Sequence, residues 1–101
     1  MSQVKIMKTP TFERLLSKLS PEVQERILSE IASVLSENPE AGKLLKGSYT
    51  VKFADTTLRI KLRSFRVGDY RVIYWYDRFK NTVWLLIVGH RKWLYKLLRR
   101  L

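Results

Sequence analysis

The amino-acid sequence predicts an α+β fold: an N-terminal strand, an antiparallel helix pair packed on one face of an antiparallel sheet, and a short basic C-terminal helix. The sheet has four strands, or five if Tyr49–Phe53 is counted as an edge. Three observations carry this prediction. Apolar residues recur at helical spacing between Phe12 and Leu35, the pattern switches to period 2 after residue 57, and turn signals divide the second half into hairpins.

In order along the chain, residues 3–8 alternate loosely and place Val4 and Ile6 on one face of a first strand. Thr9-Pro10 supplies a helix N-cap and a first helical residue whose missing N–H costs nothing there. Phe12, Leu15, Leu16 and Leu19 then lay an apolar stripe inward. Ser20-Pro21-Glu22 repeats the start signal, and Val23, Ile27, Ile31, Val34 and Leu35 extend a second stripe until Asn38-Pro39. In Leu58–Arg63 three aliphatics alternate with Arg59, Lys61 and Arg63, which is a strand with a cationic face. It is preceded by a turn at 54–57 and followed by the Gly68-Asp69 turn, which leads into a Tyr, Val, Ile and Trp-rich strand, Tyr70–Asp77. After a turn at 78–82, the unbroken apolar run Val83–Val88 suits a central strand covered on both faces, ended by Gly89. Leu94, Leu97, Leu98 and Leu101 return to helical spacing. The sheet face away from the helix pair is expected to stay partly open, lined by cations and aromatics.

A length of 101 residues has room for one domain, taken as 1–101. There is no cysteine, which excludes a disulfide framework, a thiolate metal site and a Cys nucleophile, and a single histidine excludes most other metal sites. No metal and no cofactor are expected. Without an apolar run long enough for a membrane span or a signal-peptide core, the expectation is a soluble cytoplasmic protein with no membrane partner. The net charge of +11 points instead to a polyanion. Residues 1–56 carry eight basic and seven acidic side chains, whereas 57–101 carry twelve basic ones against Asp69 and Asp77. The second half is therefore the working surface.

The segment Arg66-Val67-Gly68-Asp69-Tyr70-Arg71-Val72-Ile73-Tyr74, followed by a strand, Gly89-His90-Arg91 and then Tyr95, resembles the RelE/ParE toxin superfamily of type II toxin–antitoxin modules. The order of elements resembles that family over nearly the whole chain, and the basic residues before the motif favour its RelE-like branch. The resemblance implies an mRNA endoribonuclease that works at the ribosome, cuts A-site codons by attack of the RNA 2′-hydroxyl on the adjacent phosphorus, and inhibits translation. It also implies a cognate antitoxin, expected to be small and acidic. Such a reaction needs a group to take the 2′ proton, cations for the charge on phosphorus and an acid for the leaving oxygen.

By the same resemblance Arg71 and Arg91 match the phosphate-stabilising arginines, whose planar forks hold two oxygens at once. The plainer reading of Arg71 is a strand arginine paired with Asp69 or Asp77. Tyr95 matches a tyrosine that stacks on the substrate base or assists proton transfer, and its plainer reading is packing over the sheet edge. Lys61 and Arg59 match the family's basic pair. Lys61, crowded by Arg59 and Arg63, is either a general base or a phosphate-binding cation. Arg63, Arg66, His90 and Lys92 complete the expected RNA-binding set, His90 being also the one side chain whose ordinary pKa suits acid–base work near neutrality. The tail from Trp93 is either covered by the antitoxin or docked on its own sheet. Two other functions share the resemblance: a ParE-like inhibitor of DNA gyrase and a non-catalytic RNA-binding module.

Overall fold

The computed structural model describes residues 3–53 and 55–99. The expected α+β architecture is present. Strand β1 (Lys5–Lys8) leads into α1 (Pro10–Ser17) and α2 (Pro21–Glu30), which closes in a wider π-type turn, Ile31–Leu35. There follow β2 (Lys43–Leu44), β3 (Tyr49–Phe53), β4 (Thr56–Ile60), β5 (Arg63–Val67), β6 (Tyr70–Asp77), β7 (Thr82–His90) and α3 (Leu94–Leu98). The larger sheet has the order β1-β7-β6-β5-β2, so its fifth strand is β2 and not the expected edge Tyr49–Phe53, which as β3 pairs with β4 in a separate hairpin.

Both predicted caps form. The Thr9 hydroxyl accepts from the Phe12 amide at 3.2 Å and donates to the Leu85 carbonyl at 2.8 Å, so the cap that starts α1 also fastens it to β7. The Ser20 hydroxyl accepts from the Val23 amide in the same way. The inward stripes Phe12, Leu16, Ile27, Ile31 and Leu35 bury against Phe65, Val67, Val72, Tyr74, Val83, Leu85 and Val88.

Four further details differ from the expectation. First, β1 runs parallel to β7, so the sheet is mixed. Periodicity tells which face a strand buries, and only a tight hairpin would have dictated its neighbour's direction. Second, the strand expected at Leu58–Arg63 is divided at Lys61-Leu62 between β4 and β5, because residues up to Ile60 pair with β3 and those from Arg63 pair with β6. Leu58, Ile60 and Leu62 still point inward through the corner. Third, β7 continues through Gly89 to His90.

Fourth, the second sheet face is covered. Val51 and Ile60 from the hairpin, Leu62 from the corner after it, and Leu94 and Leu98 from α3 bury against Ile73, Leu86 and Ile87. Leu86 is an extra residue in β7, where the register with β6 slips between Ile73 and Tyr74, and the bulge turns Leu86 and Ile87 to the same core. A helix as short as α3 does not persist alone, and burial of each leucine contributes roughly 1.5–3 kcal/mol to holding it on the sheet. The tail is thus docked on its own sheet. Leu101 and Ala54, expected in the helical stripe and in the 54–57 turn, lie outside the described residues.

Candidate functional site

The β5–β6 hairpin turns at Gly68-Asp69, with Gly68 at φ 59°, a left-handed conformation that glycine adopts freely. That turn sets two of the expected site residues. Arg71 follows it on the second face of β6, and the Arg91 amide donates to the Asp69 carbonyl at 2.9 Å, which fixes the start of the tail beside the turn. A further turn, in which the Trp93 amide donates to the His90 carbonyl at 2.9 Å, leads into α3 and presents Tyr95. Arg71, Arg91, Lys92 and Tyr95 thereby line one cleft of about 270 Å³, together with Ser64 and an apolar lining of Leu45, Ile73, Leu94 and Leu98.

Arg71 is the inner cation of this cleft. Its Nη1 is buried and has no hydrogen-bond acceptor among the described residues. Buried donors are nearly always paired, and leaving one unpaired costs about 1–3 kcal/mol. Neither aspartate neutralises it: Asp77 Oδ1 accepts instead from the Phe79 and Lys80 amides at 3.1 and 3.3 Å. Tyr95, by contrast, is 68% exposed at the rim, where a flat ring is available for stacking.

The remaining candidates lie elsewhere. Arg59 and Lys61 line a separate groove of about 370 Å³, with Arg78 and Phe79 from the β6–β7 turn. Arg63 turns into the chain: its Nη1 donates to the carbonyls of Glu40 and Gly42 at 3.1 and 2.9 Å, and its Nη2 meets the Glu40 carboxylate at 3.2 Å. Arg66 pairs with Arg71 across the ladder, and its Nε donates to the Gly68 carbonyl at 3.3 Å. His90 pairs with Tyr70, against whose ring it stands edge-on at 5.5 Å, and its Nδ1 accepts from the Lys92 amide at 3.2 Å. It does not line the Arg71 cleft.

The aromatic residues divide as strand parity requires. Tyr70, Tyr74 and Tyr76 join the helix-side core, while Trp75 and Trp84 flank Phe53 with ring centroids 5.8 and 5.4 Å apart. Trp93 is exposed, with Lys96 Nζ 5.3 Å from its ring centroid. Tyr74 is fully buried; its hydroxyl donates to the Pro39 carbonyl at 2.7 Å and accepts from the Gly42 amide at 2.9 Å. Burial raises its phenol above the ordinary range, while the Gly42 hydrogen bond and the Arg63 charge oppose the rise.

Three participants were missed from sequence. Ser64 reaches the Arg71 cleft through the β5–β6 pairing, opposite Ile73, and Leu45 reaches it because β2 pairs with β5, a two-residue strand that carries no periodic signal. Phe79 sits in a turn, where an isolated aromatic has no pattern to betray it.

Residues 6–95 match the family described as the ParE toxin of the type II toxin–antitoxin system, parDE. The chain belongs to this toxin family, within the RelE/ParE superfamily. Among solved structures, the toxin is similar to a chain of the RelBE toxin–antitoxin complex from Mycobacterium tuberculosis, with 29% identity, a TM-score of 0.71 and coverage of 90% of this chain and 94% of that one. The isolated RelE toxin of E. coli shares the fold at 22% identity and TM-score 0.62, over 97% of the toxin and 99% of that chain. The archaeal RelE–RelB complex from Pyrococcus horikoshii does so at 20% identity and TM-score 0.62, over 89% and 97%. No curated protein matches the sequence.

Proposed function

We propose that this toxin is an endoribonuclease that cuts mRNA in the ribosomal A site and so inhibits translation. The observation that carries the reading is the Arg71 Nη1, buried and without a hydrogen-bond partner among the described residues, in a cleft that also receives Arg91, Lys92 and Tyr95. A guanidinium so placed suits a phosphate oxygen, and a second cation at the same cleft doubles the charge available to a phosphorane-like transition state.

In this mechanism Arg71 and Arg91 hold the non-bridging oxygens of the scissile phosphate, and Lys92 holds a neighbouring one. Tyr95 stacks on the base beside the cut, which aligns the 2′-hydroxyl with the phosphorus. Its phenol is also the group at the rim suited to exchanging a proton with a sugar or leaving oxygen. Lys61 and Arg59, in the neighbouring groove, hold the RNA backbone on either side of the codon. The products are a cyclic phosphate and a 5′-hydroxyl end. The partner that neutralises the toxin is a small acidic antitoxin, consistent with a net charge of +11 and with the toxin–antitoxin complexes among similar structures.

Brief expression with mapping of cellular RNA 5′ ends tests the reading: cuts within translated codons are expected from the wild type and not from Arg71→Ala or Arg91→Ala. The match to the ParE family favours a second reading, a gyrase inhibitor acting by protein contact. Toxicity with intact mRNA, damaged DNA and insensitivity to loss of both Arg91 and Tyr95 would select it.

A further inference from the structure

Phe79 is more exposed than any other large apolar side chain among the described residues, at 102%. It is not on a loose loop. Asp77 Oδ1 holds the Phe79 and Lys80 amides, and the Thr82 hydroxyl donates to the Lys80 carbonyl at 2.9 Å. Asn81 takes the left-handed conformation at φ 48°, and its side chain accepts from the Tyr76 hydroxyl at 2.7 Å. The turn is therefore preorganised to hold a phenyl ring in water, between Arg78 and Lys80.

Phe79 and Arg78 share a groove with Arg59 and Lys61. The two acids at that groove are engaged, Asp77 with the turn amides and Glu40 with Arg63. Among the described residues no carboxylate lies within ion-pair distance of Arg59, Lys61 or Arg78. Trp75 and Tyr76 also line the groove, and among the described residues Phe79 is its one fully exposed ring; a flat ring held in water beside the cations Arg59, Lys61 and Arg78 suits a ligand that alternates planar apolar faces with regular negative charge. A protein surface would call for a contiguous apolar patch instead.

We infer that the β6–β7 turn is a second RNA-anchoring element, in which Phe79 stacks on an unpaired base and Arg78, with Arg59 and Lys61, holds the flanking phosphates. The choice of RNA rests on the ribonuclease reading above, but the contact is separate from the cleavage cleft. Because the ring is fully exposed, Phe79→Ala should melt at the wild-type temperature and leave the cleft unchanged.

The test is fluorescence anisotropy with a labelled, unstructured single-stranded RNA of about twelve nucleotides, enough to run past one stacking site. Its 2′-hydroxyls are methylated so that it cannot be cut. Phe79→Ala should lose about tenfold in affinity, Phe79→Trp should stay within about twofold, and Arg78→Ala should flatten the dependence on salt by somewhat under one charge. Equal binding by Phe79→Ala, or no binding by the wild type, overturns the inference. So does unchanged RNA binding with lost affinity for the antitoxin, which would make the tip a protein-docking element. Phe79-dependent binding by a wild type that cuts no unmodified mRNA upholds the inference and sinks the ribonuclease reading. Cleavage with Phe79-independent binding does the reverse.

Discussion

Arg71 lies directly opposite Gly89 across the β6–β7 ladder. With no side chain on β7 to cover it, the arginine's neighbour across the ladder leaves room for α3, whose Leu97 Cδ1 comes within 3.0 Å of the place a Gly89 Cβ would occupy. The helix that carries Tyr95 is thus seated by a missing side chain next to the cleft's inner cation. Gly89→Ala should cost about 1 kcal/mol of stability in thermal denaturation, because a flexible leucine tip can shift by a few tenths of an ångström. Its RNA cleavage should fall by more than that loss of folded protein explains, since α3 moves with Leu97.

The charge and the shape of Arg71 should separate. Arg71→Ala removes both and is expected to lower the cleavage rate by about 10²–10³-fold, the range for loss of one transition-state donor. Arg71→Lys keeps the charge and loses the fork, so it should fall between Ala and the wild type. Single-turnover cleavage of a defined mRNA gives both numbers. A lysine variant as active as the wild type would show that only charge is needed there.

His90 tests the assignment by face. It packs edge-on against Tyr70 and does not line the cleft, so His90→Ala should keep cleavage within about twofold while costing roughly 1 kcal/mol of packing. A large loss of rate with unchanged melting would return His90 to the mechanism.

The Tyr74 hydroxyl clamps the 39–42 loop through Pro39 and Gly42. Tyr74→Phe leaves the part-buried Pro39 carbonyl and the buried Gly42 amide without their partner and should cost about 1–3 kcal/mol in urea denaturation. The pH dependence follows from burial, which raises the folded phenol above its ordinary value. The unfolded phenol loses its proton first, near pH 10. The stabilisation is complete below that pH and is lost as pH rises through the higher folded value. Tyr74→Phe should remove this component of the alkaline fall.

Gly42 belongs to the same clamp. A Cβ there would lie 2.7 Å from Tyr74 Cε1 and 3.1 Å from the Ser64 carbonyl, so either the ring or the backbone must move. Gly42→Ala is expected to destabilise by about 1–3 kcal/mol, as overpacking does. Combined with Tyr74→Phe the effects should be less than additive in a denaturation cycle, because both break one contact.

What could be read without the structure was local. Thr9-Pro10 and Ser20-Pro21 start helices by capping chemistry that needs only neighbours in sequence, and Gly68-Asp69 closes its hairpin for the same reason. The parallel direction of β1 and the corner at Lys61-Leu62 were illegible, since the alternation of Leu58, Ile60 and Leu62 runs unbroken through a change of pairing partner. At the site, Arg71, Arg91 and Tyr95 converge because one hairpin and one short tail carry all three. The cationic alternation of Arg59, Lys61 and Arg63 predicts Arg63 as an RNA contact. Nothing in a strand pattern reveals that its guanidinium reaches back to Glu40 and Gly42, more than twenty residues earlier.

The central claim is that the Arg71 cleft breaks RNA. Purified toxin should be added to ribosomes stalled on a defined mRNA, and the ends of the fragments characterised chemically. The account predicts a cut within the A-site codon that leaves a cyclic phosphate and a 5′-hydroxyl, abolished by Arg71→Ala and by Arg91→Ala. Intact mRNA with the wild-type toxin, or the same cut made by the Arg71→Ala protein, would contradict it.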